Sequence, residues 1–443
     1  MKKIISEIKK TVIPDKKLEN SKKNIADLAF NLVKTQLKKN PEVLSLEFGG
    51  SFAKGTWIAK NADIDIFIKF KNDVSEKKFV QISQKIGFDS MKKYNPYVRY
   101  SEHPYVEAKI KNTKINIVPC YEVKLGNWKS AADRSPYHTS HMKKALTTKM
   151  RNEVRLLKVF LQSTGIYGAE MAKQGFSGYV AEVLILNFGS FENVVKSISK
   201  IKENQIIGNA TKKFETSIVI IDPIDSNRNL AAAITEENIG KFILSCRAFQ
   251  SNPSKKFFRY TKLKFTKNNL ENILVVKFNF KKRSPDIIWG QIKRTSNSLK
   301  TQLDMAGFKV LRNGAYTDEK KEAFLIFLVE SLTIPEKYPK VGPNFFREND
   351  CRSFITKNIK NSSLFWINSE RKIISLERRK NSEVSNFTYN FLKNNWQLVI
   401  PKGLQGDFKK GFKLFLGSKD LPKSIKEVIN ELTLTDAIFF YFN

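Results

Sequence analysis

Cysteine is scarce in this chain. Among 443 residues there are three, Cys120, Cys246 and Cys351, odd in number and far apart, with no CxxC. That excludes a disulfide framework and argues for a reducing cytosol. Histidine is equally scarce, and His138 and His141 suggest no ligand role. No apolar run approaches the ~18 residues that a membrane span needs. The segment Met1–Pro14 alternates Lys with Ile too evenly for a signal peptide. Negative charge is also short: 43 Asp+Glu stand against 78 Lys+Arg, a net charge of +35. Such self-repulsion is a liability without a polyanionic partner, and nucleic acid is the default. Part of the excess reflects a general preference for Lys over Arg.

What is present points to a folded, multidomain chain. A hydrophobic fraction of 41% suffices for real cores, and the length allows about two to four domains. Ile25, Leu28, Ala29, Leu32, Val33 and Leu37 recur at helical spacing, so residues 21–39 read as a helix. Val43–Phe48 reads as a strand, Gly49-Gly50-Ser51 as a turn, and Ile64–Phe70 as a second strand. Tyr105–Ile110 and Ile115–Val118 read as a hairpin around Lys111–Lys114. This order predicts a small mixed α/β domain ending near residue 140.

From about Arg151 to Cys246 the periodicity is helical, with Val154, Leu157, Phe160 and Leu161 forming one stripe and Val180, Val183, Leu184 and Asn187 beginning another. Residues 273–280 read as a strand. A helix carrying Ile288, Ile292, Leu299 and Leu303 ends at Gly307. Strands are expected near 308–313 and 323–331, whereas 335–395 shows little pattern beyond a loop at Pro335, Pro339 and Pro343. Residues 251–300 hold 13 Lys/Arg against Glu271 and Asp286. Phe257, Phe258, Tyr260, Phe265, Phe278 and Phe280 are interleaved there. Each phenylalanine singly reads as core, but the block of charge suits an RNA surface.

The most informative segment is Glu47-Phe48-Gly49-Gly50-Ser51-Phe52-Ala53-Lys54-Gly55-Thr56-Trp57, followed by Asp63-Ile64-Asp65-Ile66-Phe67. A strand delivers the chain to two glycines, which let backbone approach an anion, and a following helix would offer N–H groups to phosphate. Ser51 adds a hydroxyl and Lys54 a cation. In the next strand, side chains alternate, so Asp63 and Asp65 share one face while Ile64 and Ile66 point to the core. Paired carboxylates repel unless a divalent ion sits between them, and Mg²⁺ wants such hard oxygens. Each half alone is commonplace. Together, in this order and spacing, they resemble the signature of polymerase-β-type nucleotidyltransferases.

The resemblance then narrows to the archaeal-type (class I) CCA-adding tRNA nucleotidyltransferases. It is carried by Gly49–Trp57, Asp63–Phe67, His103-Pro104-Tyr105-Val106, Val118-Pro119-Cys120-Tyr121 and Asp133-Arg134-Ser135-Pro136. Asn152–Lys158, Gly165–Glu170, Gly175–Tyr179, Asp222-Pro223, Arg228-Asn229 with Ala231-Ala232, and Gly342-Pro343 extend it. It implies an α+β multidomain fold: a nucleotidyltransferase catalytic head over residues 1–145, a helical neck over 146–255, an α/β body over 256–332 to which 388–443 return, and a tail over 333–387. It implies addition of C, C and A to tRNA 3′ ends from CTP and ATP, with Mg²⁺, and it admits a homodimer. Gly50, Ser51 and Lys54 would hold the triphosphate, although the family more often has Arg at the last position. Asp63 and Asp65 would ligate Mg²⁺. His103, Lys158 and Tyr167 would line the nucleotide site, and Arg228 would read the incoming base. Taken without the resemblance, Lys158 and Tyr167 read as an ordinary helix surface.

One position departs from the family pattern. Asn116, in Lys114-Ile115-Asn116-Ile117-Val118-Pro119, stands where the resemblance implies a third metal-binding carboxylate. A neutral amide is a poor base and a weak Mg²⁺ partner. Three readings follow: an inactivating change that leaves substrate binding intact, catalysis without the third carboxylate, or replacement by another acid. Glu107 is the candidate for the last, two residues along on the same face if the hairpin pairs Lys109 with Asn116. Two further functional readings stand beside CCA addition. One is an inactive tRNA-binding protein on this scaffold; the other is a poly(A)- or oligoadenylate-type polymerase.

Overall fold

The computed structural model describes residues 1–59, 62–99, 103–259, 270–417, 421–436 and 438–439. The chain separates into two compact units, Met1–Lys264 with Asp436–Asn443, and Phe265–Thr435.

The first unit opens with helices α1 (Lys2–Val12) and α2 (Lys16–Leu37). Asp15 starts α2 by accepting the Leu18 N–H at 2.7 Å, a standard N-terminal cap. Then follow strand β1 (Val43–Gly49), the short helix α3 (Gly50–Lys54), β2 (Ile64–Phe70), α4 (Glu76–Met91), β3 (Tyr97–Arg99), β4 (Tyr105–Ile110) and β5 (Thr113–Tyr121). The expected Gly49–Ser51 turn is thus the start of a helix. The strands form one sheet in the order β1-β2-β5-β4-β3. Ile64, Ile66, Ile68 and Phe70 of β2 and Ile115 and Ile117 of β5 are fully buried against Ile25, Ala29 and Val33 of α2. Alternation therefore turns Asp65 and Asn116 to the opposite face.

The hairpin register corrects the sequence-based expectation. Ile110 faces Thr113 across a two-residue turn, so Lys109 pairs with Lys114 and Glu107 lies directly opposite Asn116. The turn is tighter than a four-residue loop because Lys111 adopts a left-handed conformation, φ 51°.

Helices α5 (Arg134–Ala145), α6 (Thr148–Ser163), α7 (Gly178–Phe188), α8 (Phe191–Ser199) and α9 (Glu236–Ser251) complete this unit. Thr147, Ser177, Ser190 and Thr235 cap α6 to α9 through side-chain oxygens. The predicted stripes Val154–Leu161 and Val180–Leu184 are buried in one core with Phe191 and Phe249. This stretch is not wholly helical: β6 (Gln205–Ile207), β7 (Ile218–Asp222) and β8 (Asp225–Asn229) form a small sheet. All of β7 is buried. An apolar run that short cannot be assigned by periodicity alone.

The second unit holds β9 (Ile273–Asn279), α10 (Pro285–Met305), β10 (Val310–Thr317) and β11 (Glu322–Val329). The apolar face of α10 carries Ile288, Ile292, Leu299 and Leu303, as expected. Next come β12 (Lys337–Asn344), α11 (Glu348–Asn358), β13 (Ser362–Ile367), β14 (Lys372–Arg378), α12 (Val384–Asn394), α13 (Lys402–Phe408), β15 (Phe412–Leu416) and α14 (Lys426–Thr433). One antiparallel sheet runs β10-β11-β9-β15, another β12-β14-β13. The patternless region 335–395 is therefore regular structure. Pro339 and Pro343 lie in an edge strand, the one sheet position that tolerates a missing N–H.

Phe257 and Phe258 are buried in the first unit and Phe278 and Phe280 in the second, as core residues. Tyr260 and Phe265 lie outside the described residues. No helix among the described residues is long and apolar enough to cross a membrane.

Candidate active site

On the open face of the five-stranded sheet lies a cleft of about 330 Å³. Gly50, Asp65 and Asn116 form its floor, with Lys54 beside them, and Tyr105, His138 and Tyr179 form walls. Register builds the floor: Gly49 of β1 faces Asp65, and Asp65 faces Asn116 on the parallel strand β5. Gly50 has φ +62°, and a Cβ there would stand 1.7 Å from Asp65 Oδ2. The second glycine of the pair is thus fixed both by its backbone and by the carboxylate beneath it.

Burial pushes the Asp65 carboxyl above the usual range, and the charge of Asp63 adds to this, while the Asn116 hydrogen bond and Lys54 oppose it. Burial likewise raises Asp63, with Lys114 opposing and Glu107 adding. Both carboxyls therefore lack sufficient positive charge nearby. Asn116 Nδ2 donates to Asp65 Oδ1 at 2.8 Å. Asn116 Oδ1 is buried and has no hydrogen-bond partner among the described residues. Asp65 and the orphaned Asn116 oxygen, with Asp63 close enough for its charge to act on Asp65, offer hard oxygens of the kind that suit a divalent cation such as Mg²⁺. No three His, Cys, Asp or Glu side chains converge among the described residues, so the amide is the available third oxygen.

Beside this floor is a buried ionic cluster. Lys54 Nζ lies 2.5 Å from Glu182 Oε2, and Thr56 Oγ1 donates to Glu182 Oε1 at 2.5 Å. Lys158 Nζ donates to the Thr56 carbonyl at 3.0 Å and lies 3.6 Å from Glu182. Two ammonium groups thus share one carboxylate, leaving a surplus positive charge. Desolvation brings the Lys158 ammonium down to about 8, although Glu182 pulls upward. Tyr167 closes the cluster: a Cβ on Gly178 would meet Tyr167 Oη at 3.0 Å and Lys158 Nζ at 3.3 Å.

The wall is organised by Asp222 at the end of β7. It accepts from Tyr179 Oη at 2.8 Å and from Arg228 at 2.9 Å, and His138 Nε2 lies 3.0 Å away. Burial alone would raise the Asp222 carboxyl, but His138, the Ile224 N–H and the Tyr179 hydroxyl hold it at about 2. Desolvation lowers the His138 imidazole against the pull of Asp222. Its ring stacks on Tyr179 with centroids 3.8 Å apart. The carboxylate accepts from Nε2–H, which leaves Nδ1 as an acceptor.

Of the sequence-predicted residues, Gly50, Lys54, Asp65 and Asn116 line the cleft. Asp63 precedes β2 and is half-buried. Ser51 lies in α3, and Lys158 and Tyr167 lie in or against the ionic cluster. Arg228 reaches the cleft wall through Asp222. His103 packs edge-on to Phe79, with centroids 5.3 Å apart, and its Nδ1 is 3.9 Å from Glu76. Sequence reasoning assigned no role to His138, Tyr179, Glu182 or Asp222. Tyr179 and Asp222 lie inside motif stretches already singled out, the signal by which they were accessible; nothing local marks Glu182.

Comparison with known proteins agrees with this geometry. Residues 31–138 match the family described as nucleotidyltransferase domain, 152–259 match tRNA nucleotidyltransferase, second domain, and 271–413 match CCA-adding enzyme, C-terminal domain. The CCA-adding enzyme of Saccharolobus shibatae is 34% identical over 369 residues, covering 82% of this chain and 87% of that protein. That of Pyrobaculum islandicum is 30% identical over 397 residues, covering 88% and 94%. The chain belongs to the CCA-adding enzyme family.

Proposed function

We propose that this chain adds C, C and A to tRNA 3′ ends from CTP and ATP, without a nucleic-acid template. The observation that carries the reading is the cleft, with its Gly50–Asp65–Asn116 floor and Tyr179–His138 wall, in a chain of this family. We assign Asp63, Asp65 and Asn116 Oδ1 to hold Mg²⁺. The bound ion would supply Lewis-acid stabilisation of phosphate charge and of the ionising 3′-OH. Gly50 leaves room for a phosphate to approach the floor, and Ser51 adds a hydroxyl. Lys54 turns toward the triphosphate. Lys158 holds Glu182 from behind, so that the Lys54 charge is not cancelled, and Tyr167 keeps Lys158 in place. Tyr179 offers a face for the base. Arg228 and His138, both fixed on Asp222, read the base edge. His103 is assigned to the nucleotide site by resemblance.

The tRNA 3′-OH attacks the α-phosphorus in line and pyrophosphate leaves, so the side chains act by positioning and charge. We assign residues 1–145 to the head, 146–255 to the neck, 256–332 with 388–443 to the body and 333–387 to the tail. The reaction belongs to the cytoplasm.

Labelled CTP and ATP, offered with tRNA lacking its 3′ end, test the activity. Incorporation of both by the chain with Asn116 supports the reading. Retained tRNA binding without incorporation, restored only by Asn116→Asp, would instead make Asn116 an inactivating residue.

A further inference from the structure

The cleft floor is part of a row that crosses the whole sheet. Gly49, Asp65, Asn116, Glu107 and Tyr97 face one another in successive register on β1, β2, β5, β4 and β3. Paired residues of adjacent strands share a face. Asp65 and Glu107 therefore flank Asn116 from its two sides. The Asn116 amide is oriented by chemistry: Nδ2 donates to Asp65, because an amide oxygen there would repel the carboxylate. Its Oδ1 is consequently buried and unpartnered.

Glu107 is 6% exposed. Its carboxylate accepts from Tyr97 Oη and from Arg99 Nε, the latter at 3.2 Å. Arg99 is two-fifths exposed, so water screens its charge, whereas the buried Glu107 charge is screened less. Glu107 stands directly opposite Asn116 across the β4–β5 ladder, so its charge lies beside the floor of the cleft. Glu107 is not itself a ligand. Each of its oxygens already accepts one hydrogen bond, and no third acid converges with Asp63 and Asp65 among the described residues.

We propose that Glu107 is a positioning residue for a divalent cation: its fixed negative charge, one strand from Asn116, supplies attraction that the neutral amide lacks, while Asn116 Oδ1 would serve as a neutral ligand. This rests on the assignment of Asp63 and Asp65 to the ion.

The test is Mn²⁺ binding to the full chain, read by electron paramagnetic resonance without tRNA or nucleotide. Glu107→Gln is measured alone and together with Asn116→Asp, with thermal melts to establish folding. Glutamine keeps the length and the bond from Tyr97 but removes the charge. The expected result is about fivefold or greater weakening beside Asn116 and under about twofold beside Asp at 116, the coupling expected of neighbours that share one ligand. No weakening beside Asn116, or equal weakening in both backgrounds, would overturn the proposal and leave Glu107 as a holder of the sheet edge. Should Glu107→Gln not fold, Arg99→Met and Tyr97→Phe remove its partners and spare its charge. Mn²⁺ binding within about twofold of the parent then supports the proposal, and a fivefold loss overturns it. Coupling as expected in a chain that adds no nucleotide counts against the activity alone; CCA addition without coupling counts against Glu107 alone.

Discussion

At the scale of single residues, the site works by placing charges where they are incompletely balanced. Asp63 and Asp65 are carboxyls in want of a cation, and Lys54 with Lys158 are cations in want of an anion. A triphosphate with its divalent ion satisfies both. Lys158 gives the clearest pH dependence. Its folded value of about 8 lies below the ordinary lysine value of 10.5, because burial and the nearby Lys54 and Arg155 outweigh Glu182. The charged form therefore penalises folding fully below pH 8, and the penalty disappears as pH rises toward 10.5. Relative to Lys158→Met, the parent should gain stability between those values, measured by denaturant unfolding at each pH; parallel curves would contradict this. Asp63 and Asp65 were legible in sequence because they alternate with isoleucines, although the strand itself begins at Ile64 and only Asp65 lies within it. The Lys54–Glu182 pair was not, because 128 residues separate its partners and no local pattern encodes a contact at that distance.

At the scale of elements, turns and registers determine which side chains meet. Gly50 opens α3 directly after β1, with φ +62° and its Cα over Asp65. Gly50→Ala should cost about 1–3 kcal/mol of stability from backbone strain, and should weaken CTP binding further by crowding the carboxylate. Thermal melts and CTP titration would show both effects, and unchanged CTP affinity would contradict the crowding. In the β4–β5 hairpin, Lys111 takes the left-handed position that a two-residue turn reserves for glycine. Lys111→Gly should raise stability by about 1 kcal/mol, read from a denaturation midpoint, without altering the Glu107–Asn116 pairing. Sequence located β2, β4 and α10 well because their apolar residues recur at strand or helix period. It missed the pairing of Glu107 with Asn116, because a one-strand pattern does not state how many residues a turn contains. It missed β12 because prolines read as loop until the strand is known to be an edge.

At the scale of the whole molecule, the excess of 78 basic over 43 acidic residues suits a polyanionic partner such as RNA. Raising salt from about 50 to 200 mM should weaken tRNA binding by orders of magnitude, through counterion release. CTP binding in the cleft should fall much less, since it relies on Lys54 and the buried charges near it. Filter-binding titrations of both ligands across salt concentrations would check this, and equal slopes would contradict it. The most direct test of the central claim is stepwise addition, resolved to single nucleotides, on tRNAs ending before the CCA, after the first C and after the second C. The next nucleotide joined should be C on the first two and A on the third. Joining of A directly to the first, or of nothing to any of the three, would contradict CCA addition.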